Sequence, residues 1–202
     1  MYSVLKIEPK GNRILVTLDN DISFMLYKGE IRKYHIVENS VIDEETYLEI
    51  IEILYKRARE RALYILDDNY KTVKQIREKL QNGYYPENIV KRVIAYLKEY
   101  GLVDDFRYAM LYIDYKSAVK SKKQLIQDLY VKGIEKEIIE RAFEESGYTE
   151  EDSLRKVIEK KISKYDLGEQ KEIQKFYRYL VGKGYHYGDI KKVLSKYIGN
   201  ID

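Results

Sequence analysis

The stretch SKKQLIQDL, residues 121–129, repeats in outline a stretch 49 residues earlier, TVKQIREKL, residues 72–80. Each opens on a hydroxyl side chain with a glutamine three residues on: Thr72 with Gln75, Ser121 with Gln124. That spacing predicts a capping box, in which the hydroxyl satisfies an orphan amide at a helix start and the glutamine reaches back to the cap residue. Apolar residues follow one turn apart, Ile76 and Leu80 or Leu125 and Leu129. Gly83 and Gly133 then stand where a left-handed turn would end each helix. A further helix follows in both places, with Ile89, Val93, Ile94 and Leu97, or with Ile138, Ile139, Ala142 and Phe143, and ends near Gly101 or Gly147.

A third version lies 51 residues beyond Leu125, in FYRYLVGKGYHYGDIKKVLSKYIG, residues 176–199. It has Phe176 and Leu180, then Gly184, then Ile190, Val193 and Leu194, then Gly199. The capping box is missing, and Glu172 takes the cap-equivalent position. Tandem units of about 50 residues with three helices each predict a repeat architecture, in which each unit buries its face against its neighbours. The expected divisions are 43–104 for a linking helix and the first repeat, 105–151 for the second and 152–202 for the third. The expected result is an elongated, curved, mainly α body.

Asp104 and Asp105 fall between Gly101 and a helix that carries Phe106, Ala109, Met110 and Ile113 at helical spacing. Asp104 is expected as the N-cap, worth ~1 kcal/mol, with Val103 and Tyr108 at the flanking staple positions. Asp105 suits the positive end of the helix dipole. The third copy is also acidic at the matching point, EEDSLRKVI, residues 150–158. Catalytic or metal-binding use of the aspartate pair would need a histidine or further ligands near it, and the sequence has none there.

The first forty residues read differently. Val4, Ile7, Ile14, Val16, Leu18, Ile22, Phe24 and Leu26 mostly alternate, with turn residues at Lys10–Asn12 and Asp19–Asp21. This predicts two or three antiparallel strands within a small extension, residues 1–42, with a short helix near 28–35. From Asp43 three acids open a helix with an apolar stripe at Tyr47, Leu48, Ile51, Leu54, Tyr55, Ala58 and Ala62.

Of 202 residues, 45% are hydrophobic and 35% charged, with two prolines and no cysteine, which describes a highly charged, helix-rich globular chain without disulfides or thiolate metal sites. No leader-like or membrane-spanning apolar run is present, so a cytoplasmic protein is the simplest expectation. The net charge is +3, but residues 1–60 hold 9 basic against 11 acidic side chains and residues 151–202 hold 12 against 8. Lys116, Lys120, Lys122 and Lys123 place four cations in eight residues. If the helix ran on, Lys116, Lys120 and Lys123 would share a face, whereas Ser121 as a cap would put them around a helix junction. Lys132, Arg155, Lys160, Lys161, Arg178 and Lys183 add to the basic C-terminal part. Such groups can meet phosphates or acidic protein surface, although any single one is more economically read as solvating a helix face. Tyr96, Tyr108, Tyr112, Tyr177 and Tyr179 lie on or beside apolar stripes, which favours half-buried packing over base stacking. His35 and His186 have no metal-ligand spacing, and no phosphate loop or catalytic triad can be assembled.

The segments YLKEYGLVDDFRYAMLYIDYK, residues 96–116, and KSKKQLIQDLYVKGIEKEIIERAFEE, residues 120–145, resemble the central repeat of the RecX family. Residues 76–97 resemble the family's first repeat and 177–194 its third, while 4–34 are similar to the strand-rich extension of many members. The resemblance implies tandem three-helix repeats in a curved body that binds the RecA–single-stranded-DNA filament. It implies inhibition of filament growth, ATP hydrolysis and strand exchange, with no catalytic residues and no cofactor. Many members carry arginines where this chain has Lys116, Lys120, Lys122 and Lys123, and an Arg-Arg-Gly-Phe where it has Gly182-Lys183-Gly184-Tyr185. Lysine offers a point charge in place of the bidentate guanidinium fork. On this reading the filament-facing residues are Lys116, Lys120, Lys122, Lys123, Lys132, Arg155, Lys160, Lys161, Arg178 and Lys183. The structural motif comprises Gly101, Asp104, Asp105, Phe106, Ala109 and Gly133. A monomer with weak direct contact to single-stranded DNA is expected. The rivals are a helix-turn-helix DNA-binding protein and a repeat scaffold for another partner.

Overall fold

A computed structural model describes residues 1–67 and 69–198, so Gly199, expected to end the third copy, lies outside the described residues. The chain divides into two compact units, Met1–Asp104 and Asp105–Asp202.

In the first unit, strands β1 (Tyr2–Lys10), β2 (Arg13–Leu18) and β3 (Ser23–Tyr27) are followed by helix α1 (Lys28–Lys33) and a two-residue strand β4 (Val41–Ile42). The sheet is antiparallel in the order β3-β2-β1-β4, so it has a fourth strand beyond the expected two or three. Val4 and Ile7 are three residues apart and would face opposite ways in a regular strand. An irregularity between Val4 and Lys6 restores the phase, and it leaves Leu5 exposed.

Helix α2 (Glu44–Asp67) starts behind Asp43, whose Oδ1 accepts from the Thr46 amide at 2.7 Å. Its buried stripe is Tyr47, Ile50, Ile51, Leu54, Ala58, Ala62 and Ile65. Leu48, expected in that stripe, is 54% exposed, and Ile50 takes its place with none of its surface exposed. Ile50 stands three residues after Tyr47 and four before Leu54, on the same face, whereas Leu48 falls at its margin. Val16, Phe24 and Leu26 of the sheet share a single core with Ile50, Leu54 and Ala58 and with Ile76, Leu80 and Leu97 further on. The strands are thus built into the first repeat. Arg57 of α2 seals the β3 edge, donating to the Met25 carbonyl and pairing with Glu30.

Helices α3 (Val73–Gln81) and α4 (Glu87–Glu99) complete the first three-helix repeat. The Thr72 box closes on both sides: the Gln75 amide donates to Thr72 Oγ1 at 3.3 Å, and the Thr72 amide donates to Gln75 Oε1 at 3.1 Å. The left-handed residue after α3 is Tyr84, at φ +59°, and not Gly83 as expected. The 49-residue offset accounts for this, since it sets Tyr84 under Gly133.

The second unit holds α5 (Asp105–Lys116), α6 (Lys122–Val131) and α7 (Lys136–Glu145), then α8 (Glu150–Lys161), a 3-10 turn (Ile162–Lys164), α9 (Gln170–Gly182) and α10 (Tyr187–Ile198). Asp104 directly precedes α5, and Asp105 is the acid of its first turn. Gly133 is left-handed as expected, and so are Gly101, Gly147 and Gly184 at the other helix ends. Two expectations at helix starts change. Thr149 caps α8 by accepting from the Asp152 amide, so the acids there lie inside the first turn. Helix α9 begins at Gln170 with Glu169 as cap, so Glu172 is already within the first turn.

Each repeat of this unit has its own apolar core. One contains Ala109, Ile113, Leu125, Leu129, Ile139, Ala142 and Phe143, and the other Leu154, Val157, Ile158, Phe176, Leu180, Ile190, Val193 and Leu194. Tyr96, Tyr108, Tyr112, Tyr177 and Tyr179 are all half-buried, as their place beside the stripes requires. The fold is mainly α, in three-helix repeats, with a small antiparallel sheet at the N-terminal end.

Candidate functional site

Two buried serines tie the second repeat to the third. Ser121 Oγ accepts from the Gln124 amide at 3.4 Å and donates to the Lys183 carbonyl at 2.6 Å. The expected capping box is therefore half formed: Gln124 Oε1 is buried and finds no hydrogen-bond partner among the described residues. The approach needs Gly184, at φ +93°, where an added Cβ would lie 3.1 Å from Ser121 Oγ. Ser153, 1% exposed, lies within hydrogen-bonding distance of the Ser117 carbonyl (2.8 Å), the Lys120 carbonyl (3.0 Å) and the Tyr185 hydroxyl (2.8 Å). Burial pushes the Tyr185 phenol up to about 12, against the opposing hydrogen bond from Ser153. The α5–α6 connector is held from behind by α8.

The connector is a true junction, since α5 stops at Lys116 and α6 starts at Lys122. Val119 and Lys120 both donate their amides to the Lys116 carbonyl at 3.0 Å. Lys116 lies over the Tyr115 ring. Lys122 and Lys123 are exposed in the first turn of α6, which carries no acid. Cations at this end oppose the helix dipole. The placement costs local helix stability, and it concentrates positive potential at the seam with α9. Lys123 and Lys183 border a hollow of about 410 Å³ there, together with Lys120, Gln124 and Asp128. A second hollow of about 520 Å³ is lined by Lys122, Lys123, Tyr130, His186 and two acids, Glu150 and Asp189. Burial raises the Glu150 carboxyl above its ordinary value, against the pull of the Lys122 amide and the Tyr148 hydroxyl.

Lys120 is engaged. Its ammonium pairs with Asp128 Oδ2, which also accepts from the Tyr112 hydroxyl at 2.7 Å. Burial works to raise the Asp128 carboxyl, but these two hydrogen bonds and the charges of Lys120 and Lys132 outweigh it and hold the carboxyl low. Burial and Asp128 together raise the Tyr112 phenol. Lys132 lies over the Tyr108 and Tyr112 rings, at 5.7 and 5.3 Å from their centroids.

The structure thus brings together Lys120, Lys122, Lys123 and Lys183 at the seam. Arg155 is elsewhere, paired with Asp152 in its own helix and bordering a hollow with Asp114 and Ser117. Lys160 and Lys161 end α8, where cations suit the dipole, and Arg178 is exposed on α9. Of the motif residues, Ala109 is buried, and half-buried Phe106 lies under the Arg141 guanidinium at 3.8 Å. Ser153, Tyr185 and Asp128 were not foreseen. Ser153 signals itself as a polar residue inside the apolar run Ser153-Leu154-Val157-Ile158, and Asp128 as an acid where the first repeat has Lys79. Among the described residues no cluster of His, Cys, Asp and Glu could hold a metal ion, and no helix is long and apolar enough to cross a membrane.

Residues 58–97 match the family model described as RecX, first three-helix domain, and residues 149–194 match RecX, third three-helix domain. The chain is 33% identical over 204 positions to Regulatory protein RecX of Clostridium acetobutylicum, covering 96% of this chain and 95% of that protein. It is 32% identical over 202 positions to the protein of the same name from Finegoldia magna, covering 96% and 98%. A crystal structure of regulatory protein RecX shares the fold, with a TM-score of 0.63 at 22% identity over 96% of this chain and 100% of that one. With matches of this identity along nearly its whole length, the chain belongs to the RecX family.

Proposed function

We propose that the protein binds the RecA–single-stranded-DNA filament and inhibits it, slowing ATP hydrolysis, filament extension and strand exchange. Membership of a family of regulatory proteins supports this reading. The observation that carries it is the pair Lys122–Lys123 at the start of α6. These cations sit where the helix dipole disfavours them, on a seam whose backbone is fixed by Ser121 and Ser153. Rigid presentation lowers the ordering cost of binding. Exposed ammonium groups on such a base can engage carboxylates or phosphates of the filament without chemistry of their own. A bound protein would then obstruct the subunit rearrangements and strand pairing on which the filament depends. Direct contact with the DNA contributes through phosphates, and the active form is a monomer acting in the cytoplasm. The test is to add the protein to its cognate recombinase on single-stranded DNA and follow ATP turnover. The rate should fall as the protein is titrated, and an unchanged rate across a wide concentration range would refute the reading.

A further inference from the structure

The geometry points to Asp128 as an internal competitor: it occupies Lys120 in the free protein and gives way to an acidic side chain of a protein partner. The inference rests on the filament-binding reading above and concerns how the same site is regulated. The hollow between α6 and α9 is bordered by three ammonium-bearing residues, Lys120, Lys123 and Lys183, and one carboxylate, Asp128. Lys120 is turned onto that carboxylate, and the pair is partly open to solvent, with 32% and 29% of the two side chains exposed. A pair so placed is within reach of an external carboxylate.

The backbone of Lys120 does not depend on the pair. Its amide donates to the Lys116 carbonyl and its carbonyl accepts from Ser153. The side chain can therefore swing to a new partner without disturbing the connector. Tyr112 holds Asp128 Oδ2 at 2.7 Å, so the carboxylate keeps a donor when Lys120 leaves. Lys132, lying over the Tyr112 ring, adds positive charge on the same side. The occupant already present is the Asp128 carboxylate, so a partner's carboxylate would replace like with like on Lys120. This chemistry favours an acidic peptide segment over a phosphate backbone.

The test compares wild type with Asp128→Asn, Lys120→Ala and the double variant, all first checked for matched melting. Asparagine keeps an oxygen for the Tyr112 hydroxyl. Lysine-ammonium NMR of the free proteins should show a Lys120 signal protected from exchange in wild type and lost in Asp128→Asn. Affinity is then measured for deca-glutamate, for a deca-thymidine oligonucleotide and for the assembled filament. Asp128→Asn should tighten deca-glutamate binding about two- to five-fold, and the gain should vanish on the Lys120→Ala background. No gain, a gain that survives Lys120→Ala, or an unprotected Lys120 signal in wild type overturns the inference. A larger gain on the oligonucleotide than on the peptide overturns the acidic-peptide assignment. Should the peptide cycle behave as expected while no variant binds the filament, the filament reading fails and the Asp128 competition stands.

Discussion

Replacing Gly184 with alanine tests whether the seam between the second and third repeats is built as described. Gly184 has φ +93°, a backbone region that costs an alanine about 1–2 kcal/mol. The new methyl would also lie 3.1 Å from Ser121 Oγ and 3.4 Å from two carbons of the Lys123 side chain. Ser121 cannot retreat freely, because its hydroxyl donates to the Lys183 carbonyl at 2.6 Å and caps α6. Losing that hydrogen bond adds about 1 kcal/mol. The expected total is about 2–3 kcal/mol, read as a drop in Tm of roughly 5–15 °C by circular dichroism. Gly147→Ala is the control within the same unit. It has φ +64° but nothing within 4 Å of the added carbon, so it should lose only the same backbone term, about 1–2 kcal/mol. Equal losses for the two variants would refute the close contact at Ser121.

Other consequences follow from single side chains. Tyr84 holds the left-handed position that glycine fills in the other two repeats, so Tyr84→Gly should stabilise the first unit by up to about 1 kcal/mol in denaturant titrations; a loss would mean that its ring matters more than its backbone. Ser153→Ala leaves the Ser117 and Lys120 carbonyls and the Tyr185 hydroxyl short of a partner. The cost should be about 2–3 kcal/mol, with faster amide exchange at Val119 and Lys120; unchanged exchange would show that the connector holds itself. Glu150 has its carboxyl raised by burial, so the folded state takes up its proton more readily than the unfolded state does. The charged form therefore destabilises the protein above that raised value, and the penalty fades as pH falls from the raised value to the unfolded one, below which it is gone. Glu150→Gln should melt higher than wild type at neutral pH and alike near pH 4, and a lower melt at neutral pH would show that attraction to Lys122 dominates.

The repeat was legible because its signals are local. A cap hydroxyl, two leucine-like residues one turn apart and a glycine at the end lie within about a dozen residues, and Leu80, Leu129 and Leu180 are all fully buried at the same place in their repeats. Errors arose where a distant partner decides the outcome. Strand β4 is two residues long and exists because Tyr2 and Ser3 pair with it, a contact some forty positions away that no alternation pattern reveals. The exchange of Leu48 for Ile50 in the α2 stripe was, by contrast, legible locally, because Ile50 stands three residues after Tyr47 and four before Leu54. Gly83 was mistaken for the left-handed residue because glycine is the usual occupant, whereas alignment of the repeats identifies Tyr84. At the candidate site the lysine cluster was visible as composition, but its division was not. Lys120 is withdrawn by an aspartate eight residues on, and Lys183 is brought to the cluster by a hydrogen bond spanning 62 residues. Family resemblance supplied the expected partner, which periodicity could not.

The decisive measurement is ATP turnover by the cognate recombinase on single-stranded DNA, titrated with wild type and with a Lys122→Glu, Lys123→Glu, Lys183→Glu variant of matched melting temperature. Wild type should inhibit, and the variant should need a concentration at least about tenfold higher for half-inhibition. Equal inhibition by the two proteins would refute a role for these cations in filament binding.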